Sequence, residues 1–151
     1  MSREEEMYVH FQDCLAGLNR AWAIFSELEL DRMPPVLVMA AFNMGVIEYS
    51  KPFKESYRNG KKRHSLGLPL ASEDDHLLHQ YLLGLRDHAL DHSESTVEGA
   101  AIYEGKDEGF RFPVILSEAH EKWPPIREIK LLIEKVLDVY YAQLPQLLKQ
   151  L

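Results

Sequence analysis

The stretch Ser72-Glu73-Asp74-Asp75-His76-Leu77-Leu78-His79-Gln80-Tyr81-Leu82-Leu83-Gly84-Leu85-Arg86-Asp87-His88-Ala89-Leu90-Asp91 decides how the chain folds. A capping hydroxyl followed by three carboxylates is a helix start, because anions favour the positive end of the helix dipole. The reading is a helix from about 73 to 91. At about 100° per residue, Leu77, Leu78, Tyr81, Leu82, Leu85 and Ala89 share one face, and Leu83 and Leu90 lie opposite. A helix apolar on two sides is buried on two sides, and a four-helix domain has limited room for that. A homodimer packed along this helix satisfies the pattern and places Arg86 and Asp87 along the seam.

Working outward, Tyr8, Phe11, Leu15, Leu18, Trp22 and Phe25 alternate spacings of three and four, which predicts a helix over about 4–30. Pro34-Pro35 then opens a second helix to about Tyr49, apolar on most sides and expected to be the most buried. From Lys51 to Ala71 the periodicity fails, and Pro52, Gly60, Gly67 and Pro69 mark a polar, basic loop. Downstream, Ala101-Ile102-Tyr103 and Phe110-Arg111-Phe112 flank a Gly105-to-Gly109 turn, the pattern of a small β-hairpin. Pro124-Pro125 starts the last helix, with Ile126, Ile129, Ile133, Val136, Tyr140, Leu144 and Leu147 on its stripe and Pro145 expected to kink or shorten it. Trp22 and Trp123 read as packing residues. The expected fold is an all-α four-helix bundle, one domain over 1–151, with a hairpin or irregular insertion between the third and fourth helices.

With 151 residues and 46% apolar composition, the chain suits one globular domain with a full core. Cys14 is its sole cysteine, so no internal disulfide forms and a reducing compartment is expected. The charged start Met-Ser-Arg-Glu-Glu-Glu lacks a signal peptide's apolar region, and the apolar run Val36 to Ile47 is too short to span a membrane. A cytoplasmic location is the expectation. A net charge of −7 argues against bulk coating of nucleic acid. Its distribution is uneven: Lys51, Lys54, Arg58, Lys61, Lys62 and Arg63 against Glu55 give +5, leaving −12 elsewhere. Such a loop suits contact with a phosphate backbone, or is simply a solvated loop.

Chemistry concentrates in Arg86-Asp87-His88-Ala89-Leu90-Asp91-His92-Ser93. Arginine holds phosphate at two points, and histidine exchanges a proton near neutrality. Spacing alone decides little. With eight arginines and seven histidines in 151 residues, about one Arg–His pair four to six residues apart is expected by chance, and Arg58…His64 is a second. The Arg86 pair is favoured because it sits at a helix end, where placement is rigid.

Leu85-Arg86-Asp87-His88-Ala89-Leu90-Asp91-His92-Ser93 resembles the signature of the HEPN superfamily (higher-eukaryote and prokaryote nucleotide-binding domains): arginine, a polar residue, then histidine near the end of a bundle helix. An upstream helix ending in Glu48-Tyr49-Ser50-Lys51-Pro52-Phe53 is also similar in order. Asp87 matches a position often held by Asn, Asp or His, whereas Asp91 beside His92 departs from the pattern. The resemblance implies cofactor-free, metal-independent RNA cleavage by a homodimer whose two motifs face each other. It implies His92 as general base on a ribose 2′-hydroxyl, Arg86 on the phosphate, Asp87 orienting Arg86, and Ser93 as a minor hydrogen-bond donor. It also implies a toxin–antitoxin or defence setting, with an antitoxin such as a minimal nucleotidyltransferase as a partner.

On an unbroken helix Arg86 and His92 stand about 120° apart, with His92 on the first apolar face. Either the helix ends before 92, or the site is completed across the dimer, or His92 is a core histidine capping the helix. For Arg86 and Asp87 the plain alternative is a surface or interface salt bridge. Two further functions stay open: a non-catalytic interaction module on the same fold, and a metal-binding bundle. His88 and His92, four apart, can ligate zinc or nickel, with His76, His79, Asp87 and Asp91 near in sequence and His10 and His120 isolated.

Overall fold

The computed structural model describes residues 1–55, 57–58, 61–62, 64–90, 100–103, 114–117 and 123–151. Among them are four α-helices: α1 (Arg3–Glu27), α2 (Pro35–Ser50), α3 (Glu73–Leu90) and α4 (Ile126–Leu148). α1 packs against both α2 and α4, and α3 lies mainly on α2. The fold class is all-α, a helical bundle.

Ser2 starts α1 with a reciprocal cap. Its Oγ accepts from the Glu5 N–H at 3.1 Å, and its own N–H donates to Glu5 Oε2 at 2.7 Å. Phe11, Leu15, Leu18 and Phe25 are buried as their spacing predicts, with Cys14 and Ala21 widening the stripe. Trp22 stands at its edge. It is 37% exposed, its indole N–H donates to Glu134 Oε1 at 2.9 Å, and Lys130 Nζ lies 5.2 Å from its ring centre. The helix stops at Glu27 rather than near 30.

α2 contributes Val38, Phe42, Val46 and Tyr49 to the core. Gly45 is required there, because a Cβ would fall 2.7 Å from Phe25 Cζ. Phe42 meets Phe25 edge-on at 5.6 Å and stacks on Trp123 at 3.7 Å, so Trp123 packs the start of α4 onto α2. α2 is the most buried of the four helices for its length, as expected, yet Val36, Leu37 and Met44 are 73%, 52% and 50% exposed.

After a 3-10 turn at Lys51–Phe53, two short strands pair antiparallel: β1 (Tyr57–Arg58) and β2 (Lys61–Lys62), with Arg58 opposite Lys61. The segment expected to be a polar loop to Ala71 is in part docked. The Leu66 N–H donates to the Pro52 carbonyl at 2.8 Å, the Tyr140 hydroxyl donates to the Gly67 carbonyl, and Leu66, Leu68 and Leu70 pack on the core.

On α3 the buried side is Leu82 and His79, with Leu78 and Leu85 packed beside them. Leu77 and Tyr81, expected on that face, are 59% and 45% exposed, since they lie roughly 100–140° round the helix from Leu82. Of the second stripe, Leu83 is half-buried and Leu90 is 48% exposed. His79 makes the one polar link here between α2 and α3 that is buried at both ends: Tyr49 Oη and His79 Nδ1 are 2.8 Å apart, with the Phe53 ring edge-on to the imidazole.

α4 carries its stripe inward, with Ile129, Leu132, Ile133, Val136, Leu137 and Tyr140 buried. It runs through Pro145 to Leu148, so the proline does not shorten it. Between α3 and α4, β3 (Ala100–Tyr103) pairs antiparallel with β4 (Val114–Ser117). The return strand expected at Phe110–Phe112 lies outside the described residues. No described helix is long and apolar enough to cross a membrane.

Candidate functional site

The last turns of α3 meet the chain leaving α2. Phe53 packs against Tyr49 and His79, and this fixes the residue that follows it beside α3. Lys54 Nζ accordingly lies 3.1 Å from Asp87 Oδ1 and 3.2 Å from Oδ2. Arg86 Nη1 donates to Asp87 Oδ1 at 3.1 Å. One carboxylate thus holds two cations from different parts of the chain. Hydrogen bonds from Lys54 and then Arg86 hold the Asp87 carboxyl below the usual carboxylate range.

The Asp87 side chain is 58% exposed, so these pairs are screened and contribute roughly 0–1 kcal/mol each to stability. Their effect is positional. A guanidinium has five donors, and the contact to Asp87 uses Nη1, so Arg86 retains donors for an anion. Asp87, Lys54 and Arg86 together carry a net single positive charge.

A second ionic cluster lies at the end of α2. Glu48 is nearly buried, with Lys51 Nζ at 2.6 Å from Oε1 and Arg20 Nη2 at 3.0 Å from Oε2. Burial pushes the Glu48 carboxyl up, but the hydrogen bonds and charges of Lys51 and Arg20 outweigh it and bring it below the usual value. Lys51, expected on the substrate, is therefore already paired. The i,i+3 spacing of Glu48 and Lys51 is a visible signal of that pairing, whereas nothing local points to Arg20.

Of the other expected site residues, Arg58, Lys61 and Lys62 fall on β1 and β2. Arg63, His92 and Ser93 lie outside the described residues, as do Asp91 and His120. Leu90 ends α3, so His92 is the second residue beyond its last described position. His88 is exposed in the final turn of α3.

The other histidines have structural contacts. His76 Nε2 is 2.7 Å from the Leu70 carbonyl, and His79 is bonded to Tyr49. His10 Nε2 lies 3.5 Å from Cys14 Sγ, with the His64 ring centre 5.7 Å from that of His10. Burial first, and then the charge of Asp13, pushes the Cys14 thiol up to about 12, which makes it a poor nucleophile. No group of three or more metal-ligating side chains forms among the described residues. Two described cavities lie elsewhere, one of about 420 Å³ lined by Met1, Glu5, Tyr8, Val9 and Leu151, the other of about 290 Å³ beside Phe25, Lys130 and Glu134.

No protein-family model, no curated protein and no solved structure matches this chain.

Proposed function

We propose that this domain is a metal-independent endoribonuclease of the HEPN kind, working as a homodimer on RNA in the cytoplasm, with an antitoxin such as a minimal nucleotidyltransferase as a partner. The observation that carries the reading is the Asp87 anchor. It presents Arg86 and Lys54 together at the end of α3, six residues ahead of His92. Arg86 binds the scissile phosphate and stabilises the charge that grows on it in the transition state. His92 takes the proton of the ribose 2′-hydroxyl, whose oxygen attacks the adjacent phosphorus. The 5′-oxygen leaves with a proton from a second imidazole or water, giving a 2′,3′-cyclic phosphate and a 5′-hydroxyl. Lys54 and the basic strand pair Arg58, Lys61 and Lys62, with Arg63 and Ser93, supply further contacts to the RNA.

The same anchor favours one rival. Asp87 compensates half of the charge it gathers, an arrangement that also serves a non-catalytic interaction module. RNA cleavage in the presence of a chelator separates the two. Wild-type protein should cut, and Arg86→Ala and His92→Ala should each lose about 10²–10⁴-fold while keeping helical content and melting temperature. Intact RNA with the wild type, or unaltered cutting by both variants, sinks the nuclease reading.

A further inference from the structure

We infer that His79 is a pH-sensitive catch on the candidate site: neutral, it holds Phe53 in place and with it Lys54 on Asp87, and on taking a proton it releases both. The imidazole is 8% exposed. Its Nδ1 lies 2.8 Å from Tyr49 Oη, and the Phe53 ring centre stands 4.6 Å from its own at 84°. Among the described residues Tyr49 is the hydrogen-bond partner of this ring. Whichever nitrogen takes the proton, the imidazolium carries one N–H more than the neutral ring and no acceptor. A buried donor and a buried charge both have to find water.

Among the described residues, the groups around His79 offer its proton no unpaired carboxylate. On α3, Asp75 is held by Lys135 of α4 at 2.9 and 3.2 Å, and His76 opposes a second positive charge. α2 supplies the wholly buried Tyr49 phenol. From α4, Tyr140 acts on Tyr49 and donates its own hydroxyl to the Gly67 carbonyl. Burial, and then His76, accordingly hold the pKa of His79 below the ordinary 6.5.

Phe53 is the neighbour that yields. Tyr49 and Leu82 are fully buried, whereas Phe53 is half-buried, so moving its ring is the least costly way to hydrate an imidazolium. It ends the three-residue 3-10 turn Lys51–Phe53, a helix type with poor hydrogen-bond geometry. Lys54 closes that turn, its N–H donating to the Ser50 carbonyl at 3.2 Å. A displaced Phe53 therefore draws the Lys54 ammonium from Asp87 Oδ1, 3.1 Å away. Such coupling is reciprocal. While Lys54 is held on Asp87, Phe53 stays over the imidazole and the imidazole stays neutral.

Reciprocity gives Asp87→Asn a sign that charge alone does not. Removing a carboxylate makes a nearby imidazolium less favourable and lowers its pKa. Loosening Lys54, and with it Phe53, raises that pKa instead. That acid dismantles an RNA site rests on the nuclease reading, whereas the catch is read without RNA. The His79 ring signals are followed by NMR through an acid titration, with His79→Gln to assign them. The wild type should titrate below 6.5, Asp87→Asn should move upward, and Phe53→Ala should move further toward 6.5, both with unchanged circular dichroism. A wild-type value at or above 6.5, an unchanged or lowered value in Asp87→Asn, or no rise in a folded Phe53→Ala overturns the inference. If Phe53→Ala does not fold, the exposed Asp87→Asn site decides alone. RNA left intact by the wild type would sink the nuclease reading and leave these titrations standing.

Discussion

Asp87 is the residue on which the candidate site turns, and its energetics and geometry separate cleanly. Because its ion pairs are exposed, Asp87→Asn should lower stability by less than about 1 kcal/mol, read from urea denaturation. It should nevertheless loosen Arg86 and Lys54 and reduce RNA cleavage. A loss above 2 kcal/mol would instead make the cluster a structural latch. His79 behaves in the opposite way. Burial first, and then neighbouring His76, lowers its pKa from the ordinary 6.5, so the folded state resists protonating it. The unfolded chain binds that proton more readily. The stability due to His79 is therefore complete above about pH 6.5 and is lost as pH falls through the lowered value. Urea midpoints at pH 7.5 and pH 5 should show this decline, and His79→Gln should flatten it while costing stability at pH 7.5. The adjacency of Arg86 and Asp87 is plain in the sequence. The contact from Lys54, 33 positions earlier, is not, because it depends on Phe53 docking against His79.

Among the elements, α3 shows where local pattern stops being informative. Leucine or tyrosine at 77, 78, 81, 82, 83, 85 and 90 covers most of the helix circumference, so the period alone does not choose a core face. Packing on α2 chooses the side of Leu82 and His79. Leu82→Ala should accordingly cost about 2–5 kcal/mol and Leu77→Ala about 0.5 kcal/mol or less, measured by chemical denaturation. Reversal of that order would mean α3 is rotated. Gly45→Ala on α2 should cost about 1–3 kcal/mol, since its methyl meets the Phe25 ring. Helix starts were legible where paired prolines act locally, as at Pro34-Pro35 and Pro124-Pro125. The docking of the 66–70 segment was not, because Pro52 and Tyr140, which bond Leu66 and Gly67, are set by the tertiary fold. The strand pair β1–β2 did have a signal: Asn59-Gly60 between its strands is the dipeptide that two-residue hairpin connections favour.

For the whole molecule, the proposed function has a cofactor-free site at the end of α3 that cuts RNA. α2 joins that end of α3 to the core through Tyr49, bonded to His79, and the chain leaving α2 brings Lys54 to Asp87. If the proposed function holds, RNA should approach on the side of the basic stretch from 51 to 63, away from the acidic remainder of the chain. Raising the salt concentration should weaken binding with a slope set by the few phosphates this stretch reaches. The most direct test is the chemistry of the cut itself. Purified protein is incubated with single-stranded RNA in chelator, and the 3′ ends of the products are identified by mass spectrometry. The wild type should leave 2′,3′-cyclic phosphate ends and Arg86→Ala none. Ends bearing a 3′-hydroxyl, or cleavage that appears only when metal is restored, would contradict the proposed function.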